Sequence, residues 1–374
     1  MKRTIKNFMV GITFAALLFI GSSYASGQNV KIGLLAPLTG SSASYGQSQK
    51  EGTILAVEEW NSRGGIKGQG KIELVAADDE GNPAVSVNGN QKLIYRDKVV
   101  AVLGAADSSC TLASMKVSEK AKIPQVTGIS SNPMVTGQGN QWIFRNAPTD
   151  AIQASTAAKF VIEGLGRKKI AILNVNDDYG VGAAAIFTKT AESLGVKILT
   201  QEMYNRKDVD FTGQLHSINK VKPEIAAIYG LFEELSLAVK QGKQLGMENM
   251  WIGGTGIADT RFLHLAGKYA EGVYVTMAFT PHSPNPMVQS FLKKYEQRWS
   301  RTPPTHAAQA YDAANILFDA LQRAGTTNNE KLREALLSSK WDGICGAISF
   351  DQTGNDLKPC ILTQIKDGKY VAIK

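Results

Sequence analysis

Val30-Lys31-Ile32-Gly33-Leu34-Leu35-Ala36 is a run of seven residues in which a single lysine interrupts apolar and small side chains. It is too short for an ordinary helix and too continuous for a solvent-facing strand, so it reads as a buried strand. Gly46–Asn61 follows with helical spacing, and Ile54, Leu55, Val57 and Trp60 are its candidate buried positions. Lys71–Ala77 reads as a second strand, Pro83–Tyr95 as a helix, Val99–Leu103 as a third strand, Thr111–Lys120 as a helix and Ile123–Thr127 as a fourth strand. This alternation implies a parallel sheet with helices on both faces.

Near Trp142–Pro148 the pattern restarts. Thr149–Glu163 reads as a helix with Thr149 or Asp150 as its N-cap. Strands at Lys169–Asn174, Lys197–Met203, Glu224–Tyr229, Met250–Gly253 and Gly272–Met277 alternate with helices at Val181–Leu194, Phe211–Asn219 and Glu233–Leu245. That is a second doubly wound sheet. The last third is helical over Pro286–Trp299, His306–Ala324 and Asn329–Ser338. Helices without a sheet of their own must pack on the sheets already made, so the chain has to cross between lobes more than once.

The N-terminus reads as an export signal rather than part of the fold. Lys2, Arg3 and Lys6 precede an apolar run, Phe8–Ile20, and Ser23-Tyr24-Ala25 is a small-x-Ala cleavage site. Residues 1–25 are therefore expected to be removed. No Cys lies near the cut, which argues against a lipid anchor. The whole chain carries +8; losing three cations and no acid leaves +5. Basic and acidic residues are interspersed, so nucleic-acid binding has no footprint. Export places three cysteines in an oxidising compartment. The turn cluster Asp351–Asp356 lies between Cys345 and Cys360. A hairpin centred there sets the two cysteines opposite each other, and a Cys345–Cys360 disulfide is expected. Cys110 is left over, either a small buried residue or an exposed thiol.

Several segments in order carry a family resemblance. They are Ile32–Gly40 with Tyr45-Gly46, Asn61–Gly68, Asp78-Asp79 with Pro83, Val102-Leu103-Gly104 with Ser108-Ser109, Tyr179-Gly180, and Phe350-Asp351 with Gly354-Asn355-Asp356. Over essentially the whole length after the leader, the chain resembles the periplasmic substrate-binding proteins of branched-chain amino acid ABC importers. The resemblance implies a type I fold: two doubly wound parallel-sheet α/β lobes joined by three crossovers, with the ligand between them. Lobe 1 is then 28–147 plus 280–340, and lobe 2 is 148–279 plus 341–374. It also implies a periplasmic monomer that hands a small molecule to an inner-membrane permease with a cytoplasmic ATPase.

Carried over position by position, Ser108, aided by Ser109 and the start of the following helix, holds a carboxylate. Ser108 or Thr111 can alternatively cap that helix. Ile129 and Ser131, with Ser130 between them, supply a backbone group and a hydroxyl, and Tyr45 and Tyr179 close the cleft from opposite lobes. The aromatic expected after Tyr229 falls on Phe232, or on Leu231 if the alignment shifts by one. The chain departs from the family where an acid should pair with the ligand's ammonium, because that position is Thr255. Glu233, Glu234 or Asp259 can substitute; otherwise the ligand lacks an ammonium and is an aromatic acid or an amide.

An enzyme is not expected. No G-x-S-x-G elbow is present, and His216, His264, His282 and His306 show no metal spacing. Gly180-Val181-Gly182-Ala183-Ala184-Ala185 mimics a dinucleotide fingerprint, but Asp177 and Asp178 before it would repel a pyrophosphate. Neither metal nor cofactor is anticipated. A ligand sensor acting through a receptor shares every feature of the transport reading.

Overall fold

The computed structural model describes residues 29–373; the expected leader, 1–25, lies outside them. The first sheet is built from β1 (Val30–Ala36), β2 (Ile72–Asp78), β3 (Ala101–Gly104), β4 (Gln125–Thr127) and β5 (Ile143–Arg145). Its order is β2-β1-β3-β4-β5 and all its pairs are parallel. The opening strand is interior, flanked by β2 and β3, with Ile32–Leu35 of β1 against Ala101–Gly104 of β3. That explains why it reads as an unbroken apolar run: both faces are covered. The helices between these strands are α1 (Ala43–Ser62), α2 (Pro83–Gln91), α3 (Ser108–Ala121) and the short α4 (Met134–Gly137).

The second lobe holds α5 (Asp150–Lys159), β6 (Ile170–Val175), α6 (Asp178–Ser193), β7 (Ile198–Tyr204), α7 (Thr212–Lys220), β8 (Ile225–Tyr229), α8 (Phe232–Gln244), β9 (Met250–Gly253), α9 (Thr260–Ala266) and β10 (Tyr274–Met277). Every residue of β6 and β8 is buried, whereas β7 at the sheet edge alternates between partly buried and exposed until its last residue, the buried Tyr204. The difference is that of a two-sided against a one-sided strand.

The chain then returns to the first lobe as α10 (Pro286–Trp299), α11 (Thr305–Ala324) and α12 (Asn329–Leu337). Ile316, Leu317 and Leu321 of α11 share a core with Ile32, Leu34 and Leu103, and Trp60 Nε1 donates to Asn315 Oδ1 at 2.9 Å. The tail forms β11 (Lys340–Gly343), β12 (Gly346–Ser349), β13 (Ile361–Lys366) and β14 (Lys369–Ala372). The last two extend the second sheet, whose order is β14-β13-β10-β9-β8-β6-β7. The structure is thus an α/β protein of two parallel-dominated lobes, with an antiparallel pair closing one edge.

The tail departs from expectation in two ways. Residues 341–350 do not accompany the second lobe, because Trp341, Ile348 and Phe350 pack against the first lobe's core. Nor do Cys345 and Cys360 face each other across a hairpin. Gly346–Ser349 pairs backward with Lys340–Gly343, which puts Cys345 in the connecting turn. The loop at Asp351–Asp356 closes only a single bridge, Phe350 to Asp356, and the chain then leaves for the other lobe. Cys345 donates its amide to Asp312 Oδ2 at 2.8 Å, while Cys360 lies by Thr156 of α5. All three cysteines are free thiols, and the expected disulfide is not formed. Cys110 is the buried residue of the two alternatives.

A candidate ligand cleft between the lobes

The first wall begins where β3 ends. Gly104 has φ +128°, and a Cβ there would lie 2.0 Å from the Leu35 carbonyl oxygen, so only glycine lets the chain turn this closely over β1. The turn delivers α3 with Asp107 at its N-cap position, but the Asp107 side chain makes no capping bond. Ser108 and Thr111 do not cap either. The Ser108 hydroxyl accepts the Asn132 amide at 3.3 Å, and Thr111 bonds to Ser130 Oγ and the Ala105 carbonyl. The first amides of α3 have no partner within their own helix, which leaves them suited to an anion. The next loop adds Ile129 and Ser131 beside them.

The second wall comes from the other lobe. Asp177 caps α6 by accepting the Gly180 amide at 2.9 Å, which accounts for the glycine-rich start as a helix entry. Tyr179 follows, and its hydroxyl accepts the Gly256 amide at 3.4 Å. Gly256 is fixed by close approach, since a Cβ would sit 2.0 Å from the Gly230 carbonyl oxygen. The Thr255 hydroxyl is bonded to Gln153 Oε1, which also accepts the Thr255 amide at 3.2 Å.

Tyr45, Ser108, Ile129, Ser131, Tyr179 and Thr255 all line one cavity of about 30 Å³ between the lobes. That is room for a water or two, so a ligand of amino-acid size enters only when the lobes part. The other sequence candidates lie elsewhere. Ser130 faces inward, donating to the Ala106 carbonyl at 2.9 Å. Ser109 Oγ accepts the Asp178 amide from the facing lobe at 3.3 Å. The Phe232 ring packs on Tyr45, with centroids 5.3 Å apart, and under the Arg261 guanidinium, while Leu231 lines the cavity.

Sequence reasoning missed Asp107, Arg206 and His306, which also line it. Arg206 lies in the loop after β7 and bridges the lobes, 2.5 Å from Asp177 and 3.4 Å from Asp107. Burial opposes its charge, but the two carboxylates outweigh burial and raise its pKa. Burial pushes the Asp107 carboxyl up, against the pull of Arg206 and Ser42. His306, at the start of α11, is pushed down to about 4 by burial and stays neutral, stacked edge-on against Tyr45 at 4.6 Å. An aspartate before a helix reads as a cap, and a lone arginine in a loop gives no local signal.

Two α/β lobes with a polar-lipped cleft at the carboxyl ends of their strands define a ligand-binding protein of the hinged type. The chain belongs to the periplasmic binding protein family, which matches residues 29–369. The family consists of substrate-binding proteins rather than enzymes. A leucine-, isoleucine-, valine-, threonine- and alanine-binding protein of Pseudomonas aeruginosa is 29% identical over 347 residues, 92% of each chain. A leucine-binding protein from Thermotoga maritima superposes with a TM-score of 0.87 at 29% identity, covering 92% of this chain and 98% of that one. A branched-chain amino acid transporter substrate-binding protein from Streptococcus pneumoniae, solved with isoleucine, gives 0.86 at 27% identity, covering 93% and 100%. Among the described residues no helix is long and apolar enough to cross a membrane.

Proposed function

We propose that this protein is a periplasmic monomer that captures a small carboxylate-bearing ligand, an apolar amino acid of the branched-chain kind, and presents it to an ABC importer's permease and ATPase. The observation that carries this reading is the pairing of Ser108 at the start of α3 and Ser131 in the loop after β4 with Tyr45, Tyr179 and Leu231 around the same cavity. The hydroxyls and helix amides suit a carboxylate, and the rings and leucine suit an aliphatic side chain. In the open form the ligand docks on the first lobe. Contacts made to both lobes then hold the closed form, which the permease reads.

Calorimetric titration of the refolded protein with leucine, isoleucine and valine tests this. Ser108→Ala and Ser131→Ala should each weaken binding by about 0.5–3 kcal/mol, the range for hydrogen bonds to neutral or charged groups. Unchanged affinity in both variants contradicts the carboxylate site. A second reading has its own support: the Thr255 hydroxyl is already bonded to Gln153 and offers no charge to an ammonium. On that reading the ligand is an aromatic acid or an amide, and benzoate or a short amide binds where leucine does not.

A further inference from the structure

An ammonium buried in this cleft needs a counter-charge. The acids first considered as substitutes for the one missing at Thr255 are engaged elsewhere. Asp259 caps α9 and holds Arg261 at 2.5 Å. Glu233 accepts the Ser44 hydroxyl at 2.5 Å, and Glu234 accepts the Lys207 amide at 3.0 Å, both lining a separate groove at the cleft mouth. Asp107 faces Arg206.

Resting on the amino-acid reading above, we propose that Asp150 provides that counter-charge, so that the ligand's ammonium is recognised from the crossover between the lobes rather than from Thr255. Asp150 is the first residue of α5 and is 2% exposed. Thr149 caps the helix, its hydroxyl accepting the Ile152 amide at 3.2 Å, which frees the Asp150 carboxyl from that task. The backbone amide of Asp150 donates to the Ser131 carbonyl at 2.8 Å, and the nearby Ser131 side chain favours the ionised carboxyl. The aspartate is thus tied directly to a residue of the cavity wall. Its second oxygen, Oδ2, is buried with no hydrogen-bond partner; Asp107, Glu233 and Glu234 each keep one such oxygen too, but Asp107 is already neutralised by Arg206 and the two glutamates line the separate groove, and the hydroxyl of Tyr229 is likewise without a partner. Tyr229 lies in the field of both Asp150 and Tyr179. Arg145, the cation whose field reaches Asp150, gives its own donors to the Asn132 carbonyl, Thr136 and Asn355. Unpaired buried acceptors of this kind are costly, and a group with three N–H donors satisfies them.

Four charged or titratable groups bear on Asp150: Arg145 on β5, Asp177 at the N-cap of α6, Tyr179 on α6, and Tyr229 on β8. Burial pushes the Asp150 carboxyl up to about 7, against the Ser131 side chain and Arg145 and with the help of Asp177. An arriving ammonium favours the ionised form. Binding therefore releases a proton near neutral pH, and affinity falls as the pH drops below about 7.

The test titrates refolded wild type and Asp150→Asn with leucine and with 4-methylpentanoate, the same skeleton without an ammonium, at pH 8 and pH 5.5. The wild type should bind leucine less tightly at pH 5.5. Asp150→Asn should lose at least tenfold in leucine affinity, keep its affinity for 4-methylpentanoate, lose the pH dependence, and melt no lower than wild type when free. Proton release on leucine binding, measured in two buffers of different ionisation enthalpy, examines the wild type alone and does not depend on how the variant folds. Leucine binding by wild type with no proton release, or a variant that binds leucine unchanged or loses both ligands equally, overturns the Asp150 assignment and leaves the amino-acid reading standing. A wild type that binds 4-methylpentanoate and not leucine overturns both.

Discussion

The Tyr45 hydroxyl donates to the Gly256 carbonyl at 2.5 Å and accepts the Phe232 amide at 3.1 Å, both across the cleft. One side chain of the first lobe therefore fastens two backbone positions of the second. Tyr45→Phe keeps the ring that packs on Phe232 and His306 and removes only these bonds. Two hydrogen bonds at about 0.5–1.5 kcal/mol each put the loss of ligand affinity at roughly five- to 140-fold. Titration measures that loss, and small-angle scattering should show a larger fraction of open molecules at equal ligand saturation. An unchanged affinity would mean that closure is held elsewhere, with Arg206 and its two aspartates the first alternative. The same residue scale shows what the sequence could convey about the cleft. Tyr45, Ser108, Ile129, Ser131, Tyr179 and Thr255 were marked by resemblance and do share the cavity. Asp107 and Arg206 went unseen because their meaning is relational: neither has a neighbour in sequence that reveals the other 99 residues away. Asp150 was visible only as a candidate cap, the role that Thr149 fills.

At the scale of elements, the strands buried on both faces were the most legible. β1, β6 and β8 are short, almost wholly apolar and followed by helices. The tail was the least legible, and for a physical reason. Its strands are four to six residues long and mostly half-exposed, so alternation carries little information about which strand pairs with which. The Asp351–Asp356 cluster looks like a hairpin turn and is a self-bonded loop, in which Asp351 Oδ1 accepts the amides of Thr353 and Asn355. The consequence is chemical. Alkylation of the unfolded protein without reductant should modify all three cysteines, and added reductant should leave the melting temperature unchanged. Mass spectrometry that finds two of the three blocked until reduction would restore the hairpin pairing of Cys345 with Cys360.

At the scale of the whole molecule, burial raises three carboxyls, Asp79, Asp150 and Glu233, to about 7 each. Their unfolded values lie near 4, so between those limits the folded protein holds protons that the unfolded chain has released. The associated stability is present in full below about pH 4 and is lost as the pH rises through 7. The ligand-free protein should therefore melt at a lower temperature at pH 8 than at pH 5. Groups with lowered values act in the opposite sense: Asp78 and Asp351 only at more acid pH, and His306, lowered to about 4, between that value and its ordinary one near 6.5, where it offsets one of the three carboxyls. Melting curves across this range check the slope, and a melting temperature that climbs from pH 5 to pH 8 contradicts it. Such strained acids lie where the lobes meet or close by, as expected if the fold gives up stability at its functional surfaces.

The measurement that bears most directly on the central claim is a melting-temperature screen of the refolded protein lacking residues 1–25 against leucine, isoleucine, valine, benzoate, 4-methylpentanoate and short amides. A ligand present at a hundred times its dissociation constant stabilises the folded form by about 2.7 kcal/mol. The account predicts a clear rise with at least one branched-chain amino acid, stronger at pH 8 than at pH 5.5. No rise with any amino acid, carboxylate or amide in the panel would contradict the assignment of this cleft as a carboxylate-binding site.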